Sequence, residues 1–285
     1  MPDGIQGLAN MQVRPLSGSC GAEVRGVDLA ALDDKGFAAV RETFLSHKVL
    51  CFRDQKLDEE SLMAFGRRFG PLIVHPNLIA EGKYPEVIAI RKEPDDKAAV
   101  GENWHTDTTC LEKPPLGSAL YALEVPPAGG DTLFADQQGA WDMLSDGMKE
   151  TLSGMRAVHN DTRVAGPATN FNALRSTRNR EDDAWRPTEC LHPVVRTHPE
   201  TGRKGLFVNR AYTIRFEGMT EAESTPLLDY LYAVGERVEL TCRVSWEPGS
   251  LTLWDNRCLK HAAINDYAGH RRDMRRIQIE GDRPS

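Results

Sequence analysis

Apolar and polar residues change their spacing repeatedly along this chain, in short runs punctuated by glycine and proline. Between Val13 and Leu29 the text VRPLSGSCGAEVRGVDL is broken by glycines and suits a hairpin. After Asp33-Asp34, Phe37, Val40 and Phe44 recur at helical spacing, and Val49-Leu50-Cys51-Phe52 reads as a buried strand. Asp58 opens a second helix with Leu62, Phe65 and Phe69 on one face and Gly70 at its end. From Pro85 to Pro127 the pattern predicts three short strands, EVIAIRK, WHTDTTC and LGSALYALEV. GGDTLFAD restarts a strand and leads into a helical pair around Trp141, Leu144, Met148 and Leu152. Farther on come PVVRTH, a hairpin through Thr201-Gly202, and a helix that starts at Thr225-Pro226 and buries Leu227, Leu228, Leu231 and Val234. The tail returns to strands: CRVSW, a turn at Glu247-Pro248-Gly249, SLTLWDN and RRIQIEG. Short strands joined by Gly/Pro turns, with helices between them, predict a mainly β fold with flanking helices (α+β) around an antiparallel barrel or jelly-roll core.

The stretch 160–188 is long, polar and without period, which predicts a lid over a bound ligand. No repeat or Gly/Ser linker divides the chain, so residues 13–285 are expected to form one domain behind a loose arm, 1–12. Hydrophobic residues at 40% with charged residues at 27% describe a folded globular chain. The formal charge of −7 argues against nucleic acid as a partner, since that affinity comes from cationic side chains. No run approaches the roughly 20 apolar residues of a membrane span. MPDGIQGLANMQVRPL lacks the basic and apolar regions of a signal peptide. The six cysteines are scattered without a CxxC pair, as expected of reduced thiols in a cytoplasmic protein.

The chemistry begins at His105-Thr106-Asp107. In an extended chain, residues i and i+2 face the same way, so His105 and Asp107 can address one metal ion. A second histidine would complete a two-histidine, one-carboxylate facial triad with open positions, the non-heme Fe(II) oxygenase arrangement. His261 follows the strand SLTLWDN, and a jelly roll brings such distant strands side by side. His47, His159, His192, His198 and His270 are read as non-ligands, and Trp104 and Trp254 as packing that excludes water. Arg272, one strand later, would face the same cavity, where a guanidinium fork suits the carboxylate of a dicarboxylate co-substrate. The Thr132 hydroxyl can reach that same carboxylate. Alternation puts Arg276 on the face of Arg272, with Arg271 and Arg275 turned away.

On these residues, and on GAEVRGVDL, RRFGPL, NWHTDTTC, GGDTLF, LHPVVRTHPETGRKGLFVN, WDNRCLKH and the closing Arg-rich strand, the chain resembles the TauD/TfdA family. These are Fe(II)/2-oxoglutarate-dependent dioxygenases that include taurine and aryloxyalkanoate dioxygenases, and the likeness runs from Val13 to Pro284. The resemblance implies a double-stranded β-helix (jelly-roll, cupin-like) core and three iron ligands, His105, Asp107 and His261. It implies Thr132 and Arg272 for 2-oxoglutarate, O2 as the second co-substrate, and Arg276 and His75 for the substrate anion. Where the taurine enzyme has a tyrosine, three positions after that histidine, this chain has Leu78, which turns the expectation toward a larger or more apolar anion. The implied reaction hydroxylates, and can thereby cleave, a small organic anion such as an aryloxyalkanoate, alkyl sulfate or sulfonate, releasing succinate and CO2. The same chemistry on an amino acid or natural-product intermediate is the alternative, and an inactive sensor of 2-oxoglutarate is a third reading. A homo-oligomer, dimer or tetramer, is implied as well.

Overall fold

The computed structural model describes residues 11–180 and 185–285, so residues 1–10 of the expected arm lie outside the described residues. The strands are β1 (Gln12–Pro15), β2 (Ala22–Arg25), β3 (Val49–Phe52), β4 (Ile88–Lys92), β5 (Gly117–Glu124), β6 (Thr132–Asp136), β7 (Arg156–Asn160) and β8 (Glu189–Pro193). They continue as β9 (Val195–Thr197), β10 (Lys204–Leu206), β11 (Thr213–Phe216), β12 (Thr241–Val244), β13 (Leu251–Asp255), β14 (Leu259–Ala263) and β15 (Arg272–Ile279). The helices are α1 (Asp34–His47), α2 (Glu59–Arg67), α3 (Gln137–Asp142), α4 (Asp146–Leu152), α5 (Phe171–Leu174) and α6 (Glu221–Gly235).

A seven-stranded sheet runs β1-β2-β3-β13-β5-β15-β4, and a three-stranded sheet, β12-β6-β14, faces it to make a jelly roll. Alternation along the large sheet sorts its side chains. Ala119, Tyr121, Leu251, Leu253, Ile277 and Ile279 point outward to a core with Val40 and Phe44 of α1 and Leu62, Met63 and Phe65 of α2. Leu120, Ala122, Trp254 and Met274 point inward, against Phe134, Cys242, Val244 and Leu259 of the small sheet. Each fully buried side chain of this size stabilises the fold by about 1.5–3 kcal/mol. A third core, around Trp141, Leu152, Phe216, Leu228 and Leu231, packs α3, α4 and α6 onto the outer hairpins.

Three boundaries differ from the sequence pattern. The α6 helix starts at Glu221, behind a capping box in which the Thr220 hydroxyl accepts from the Glu223 N–H and the Glu223 carboxylate accepts from the Thr220 N–H. Thr225-Pro226 is therefore inside the helix, because the two-sided cap outweighs the missing proline N–H. The α2 helix stops at Arg67, although Phe69 still packs edge-on against Phe37, Phe44 and Phe65. WHTDTTC is not a strand: His105 makes one bridge, to His261, and the chain then turns at Asp107 with Thr108 at φ 41°. That left-handed angle is strained for a β-branched residue, and it lies beside the site described next.

Candidate active site

His261 lies mid-strand in β14, opposite Phe134 of β6. Two reciprocal backbone bonds, His105 N–H to His261 O at 2.9 Å and His261 N–H to His105 O at 2.7 Å, fix the histidines side by side. Their ring centroids are 4.1 Å apart. Asp107 Oδ1 lies 3.5 Å from His105 Nε2 and 3.8 Å from His261 Nε2, so three buried donor atoms from distant parts of the chain converge. Close approach on one side requires glycine: Gly101 sits at φ 80°, and a Cβ there would stand 2.8 Å from His105 Cε1.

The groups around the triad leave its lone pairs free. His105 Nδ1 donates to Asn103 O at 2.7 Å, which puts the proton on Nδ1 and exposes the Nε2 lone pair. The other Asp107 oxygen, Oδ2, accepts from Ser118 Oγ at 2.7 Å and Asn256 Nδ2 at 3.5 Å. Burial, with His105 next to it, pushes the His261 imidazole down to about 3, so it is neutral at pH 7. Burial works to raise the Asp107 carboxyl, but His261, Arg276 and His105 outweigh it and hold it well below its ordinary range. Two imidazoles and one carboxylate, each oriented by an outer hydrogen bond or by packing on Trp254, fit a divalent metal such as Fe(II).

Beside the triad is a small side chamber, lined by Thr132 of β6, Arg272 and Arg276 of β15, Trp254, and the two histidines. Arg272 is 5% exposed, and its Nε and Nη2 have no hydrogen-bond partner among the described residues. Its guanidinium stacks over Trp246, whose indole N–H donates to Thr132 Oγ1 at 3.1 Å. A buried cation with unused donors calls for an anion, and the Thr132 hydroxyl still has its own proton to give. A dicarboxylate co-substrate fits this donor set.

On the other side of the triad opens a larger cavity, lined by His75, Asp107, Tyr212 and Arg276 among others. Arg276 Nη1 is 3.6 Å from Asp107 Oδ1, while its Nε and Nη2 have no partner among the described residues. His75 Nδ1 accepts from the backbone N–H of Asn77 and of Leu78, at 3.1 and 2.9 Å. The proton is therefore on Nε2. Burial and the charge of Arg276 hold this imidazole well below its usual range, so it is a neutral donor. Leu78 lines the wall, and the polar stretch contributes Arg163, Val164, Phe171, Arg175 and Asn179. Arg271 and Arg275 turn away from the cavity, to Glu124 and to Glu59 and Asp273.

All seven sequence-predicted site residues thus lie around two cavities that share His105 and Arg276 as walls. Ser118, Asn256, Trp246, Tyr212 and Arg175 were not singled out by sequence reasoning; only the aperiodic length of 160–188 pointed near Arg175. A second histidine–carboxylate–thiol group, His198, Asp255 and Cys258, also has its donor atoms within reach of one another. There every lone pair of the histidine and carboxylate is engaged within the protein. His198 Nδ1 accepts from the Glu200 and Thr201 N–H groups, its Nε2 meets Asp255 Oδ2 at 3.0 Å, and Arg257 grips both Asp255 oxygens. This knot pins the turn between β13 and β14.

Residues 12–278 match the model of the taurine catabolism dioxygenase TauD, TfdA family. The alkylsulfatase of Acinetobacter baylyi is 33% identical over 95% of this chain and 86% of its own length. The (S)-phenoxypropionate/alpha-ketoglutarate-dioxygenase of Sphingobium herbicidovorans is 34% identical over 95% of each chain. Among solved structures, a taurine dioxygenase from Burkholderia xenovorans superposes with a TM-score of 0.81 at 34% identity, covering 96% of this chain and 92% of that one. With its jelly-roll sheets and its buried histidine–aspartate–histidine cluster, this chain belongs to the TauD/TfdA family.

Proposed function

We propose that His105, Asp107 and His261 hold ferrous iron, that Arg272 and Thr132 hold the distal carboxylate of 2-oxoglutarate, and that Arg276 and His75 hold the anionic group of the substrate. The chain is an Fe(II)/2-oxoglutarate-dependent dioxygenase acting on small organic anions. The chemistry such iron supplies, with 2-oxoglutarate and O2, is oxidative decarboxylation to succinate and CO2 coupled to hydroxylation of a substrate C–H bond. The observation that carries the residue assignment is the adjacency of three metal-competent donors to a buried guanidinium with two unused N–H groups.

This chain's residues bind, orient and keep the site dry. Ser118 and Asn256 hold the Asp107 carboxylate with one oxygen toward the histidines. Arg272 and Thr132 orient the co-substrate from one side, and Trp246 and Trp254 exclude water around them. Arg276 and the Nε2–H of His75 present a cation and a neutral donor to the substrate anion from the other side. Where the hydroxylated carbon bears a sulfate, sulfonate or ether oxygen, the product collapses to a carbonyl compound and a leaving group. Leu78, Val164 and Phe171 give the cavity an apolar wall, which favours an alkyl sulfate or aryloxyalkanoate over a short polar amine. Residues 13–285 act as one catalytic domain in this reading, and the stretch around Val164–Asn179 covers the substrate side.

The test is succinate release with Fe(II), 2-oxoglutarate and O2 across alkyl sulfates, sulfonates and aryloxyalkanoates. One of these classes is expected to yield succinate in step with its own loss. No succinate above the substrate-free rate from any class, with iron bound, overturns the substrate reading.

A further inference from the structure

The substrate cavity contains a second buried cation that the proposed roles do not use. Arg175, at the end of α5, is 7% exposed and lines the same cavity as Arg276. Its guanidinium lies over the Phe171 ring at 4.4 Å. Nε donates to Thr177 O and Nη2 to Asn179 Oδ1, each at 3.0 Å, and both acceptors are neutral. Among the described residues no carboxylate pairs with it. Glu102, at the cavity rim, is exposed, and its carboxylate accepts from the Ala99 N–H and from Asn265 Nδ2. Burial and the like charge of Arg276 push the Arg175 guanidinium down to about 10, so it keeps its charge at neutral pH.

A cation buried without a counter-charge is held against its own hydration, and a wholly structural strut here needs no charge. The charge count makes the same point. Arg276 faces Asp107, whose charge is committed to the metal once iron binds, and Arg175 faces none. Arg163 also lines the cavity but is exposed and pairs with Glu221 at 3.9 Å, so two buried guanidinium charges are left without a counter-charge, and the missing negative charges must come with the ligand.

We propose that Arg175 is a specificity-determining residue that makes this site select dianionic substrates: a sulfate ester or sulfonate whose apolar chain also carries a carboxylate. Arg276 and His75 take one anionic group and Arg175 takes the other. This rests on the function proposed above. Hexyl sulfate and the same chain ending in a carboxylate separate the two claims. Wild type is expected to show a KM about tenfold lower for the carboxylated probe, with kcat for the two probes within about twofold. Arg175→Met should erase that difference by raising KM for the dianion alone, and Arg175→Lys should restore part of it. Anaerobic calorimetry of probe binding to the iron- and 2-oxoglutarate-loaded protein should give the same ranking without turnover. Equal KM values in wild type, or equal losses on both probes in Arg175→Met, would overturn the proposal and leave Arg175 as a strut of its loop. Absence of succinate from both probes in wild type would overturn both this proposal and the alkyl-sulfate reading beneath it.

Discussion

Two buried clusters in this molecule are built from nearly the same residue types, and they do opposite things with them. At His105 and Asp107 the outer hydrogen bonds fall on the far atoms, His105 Nδ1 and Asp107 Oδ2, while His261 is held by packing on Trp254, so the near atoms face one another unsatisfied. At the second cluster the near atoms of His198 and Asp255 bond to each other, Asp255 also bonds to Arg257, the Cys258 thiol donates to the Asp255 backbone carbonyl, and the far atom of the histidine is taken by backbone N–H groups. Ligand atoms at similar spacing therefore leave a set of donors that fits a metal in one place and form a structural clasp in the other. The difference lies in which lone pairs the surroundings consume.

The comparison can be broken most forcefully at the triad. His261→Ala should remove iron from the purified protein, measured by metal analysis, and bring succinate release to background. Arg272→Met should raise the KM for 2-oxoglutarate by about 100-fold while iron content holds, because it removes one partner of a buried charge pair. At the clasp, Asp255→Asn should cost about 3–5 kcal/mol in urea unfolding by leaving Arg257 without its bidentate partner, yet the folded fraction should bind iron at wild-type stoichiometry. If that variant instead loses iron while remaining folded, the two clusters are not independent. Ser118→Ala should weaken iron binding about tenfold, by freeing Asp107 Oδ2 from its closest donor.

The smallest effect is in acid. Burial would raise the Asp255 carboxyl above its ordinary 3.8, but the charge and hydrogen bonds of Arg257, with His198, hold it lower. A lowered folded pKa gives stability that is complete above the ordinary carboxylate value and lost as pH falls through the folded one. The stability gap between wild type and Asp255→Asn should thus stay constant from neutral pH to about pH 5 and close only in stronger acid. A gap that closes between pH 6 and pH 7 would assign it to a different group.

Sequence reading reached furthest where residue type alone restricts the chemistry. An HxD triplet, a later histidine and two arginines four residues apart are legible because few other roles use that combination. Ser118, Asn256 and Trp246 are ordinary residues on strands, and their importance arises from register: Ser118 stands opposite Trp254 and Gln278, beside the Asp107 turn. No local pattern carries that information. The inward placing of Arg272 and Arg276 on β15 followed from alternation, whereas WHTDTTC misled because threonine-rich text resembles a strand although no hydrophobic alternation supports it. In α6 the capping box was in the text at Thr220 and Glu223, and the more conspicuous proline drew the boundary downstream. Arg175 sits in a stretch without period, so only the folded chain reveals its burial.

The reciprocal backbone bonds between His105 and His261 join residues separated by more than half the chain's length. A ribosome must therefore make the chain through His261 before this cluster can be complete. In the role proposed for it, half-made chains would offer ferrous iron no complete set of ligands.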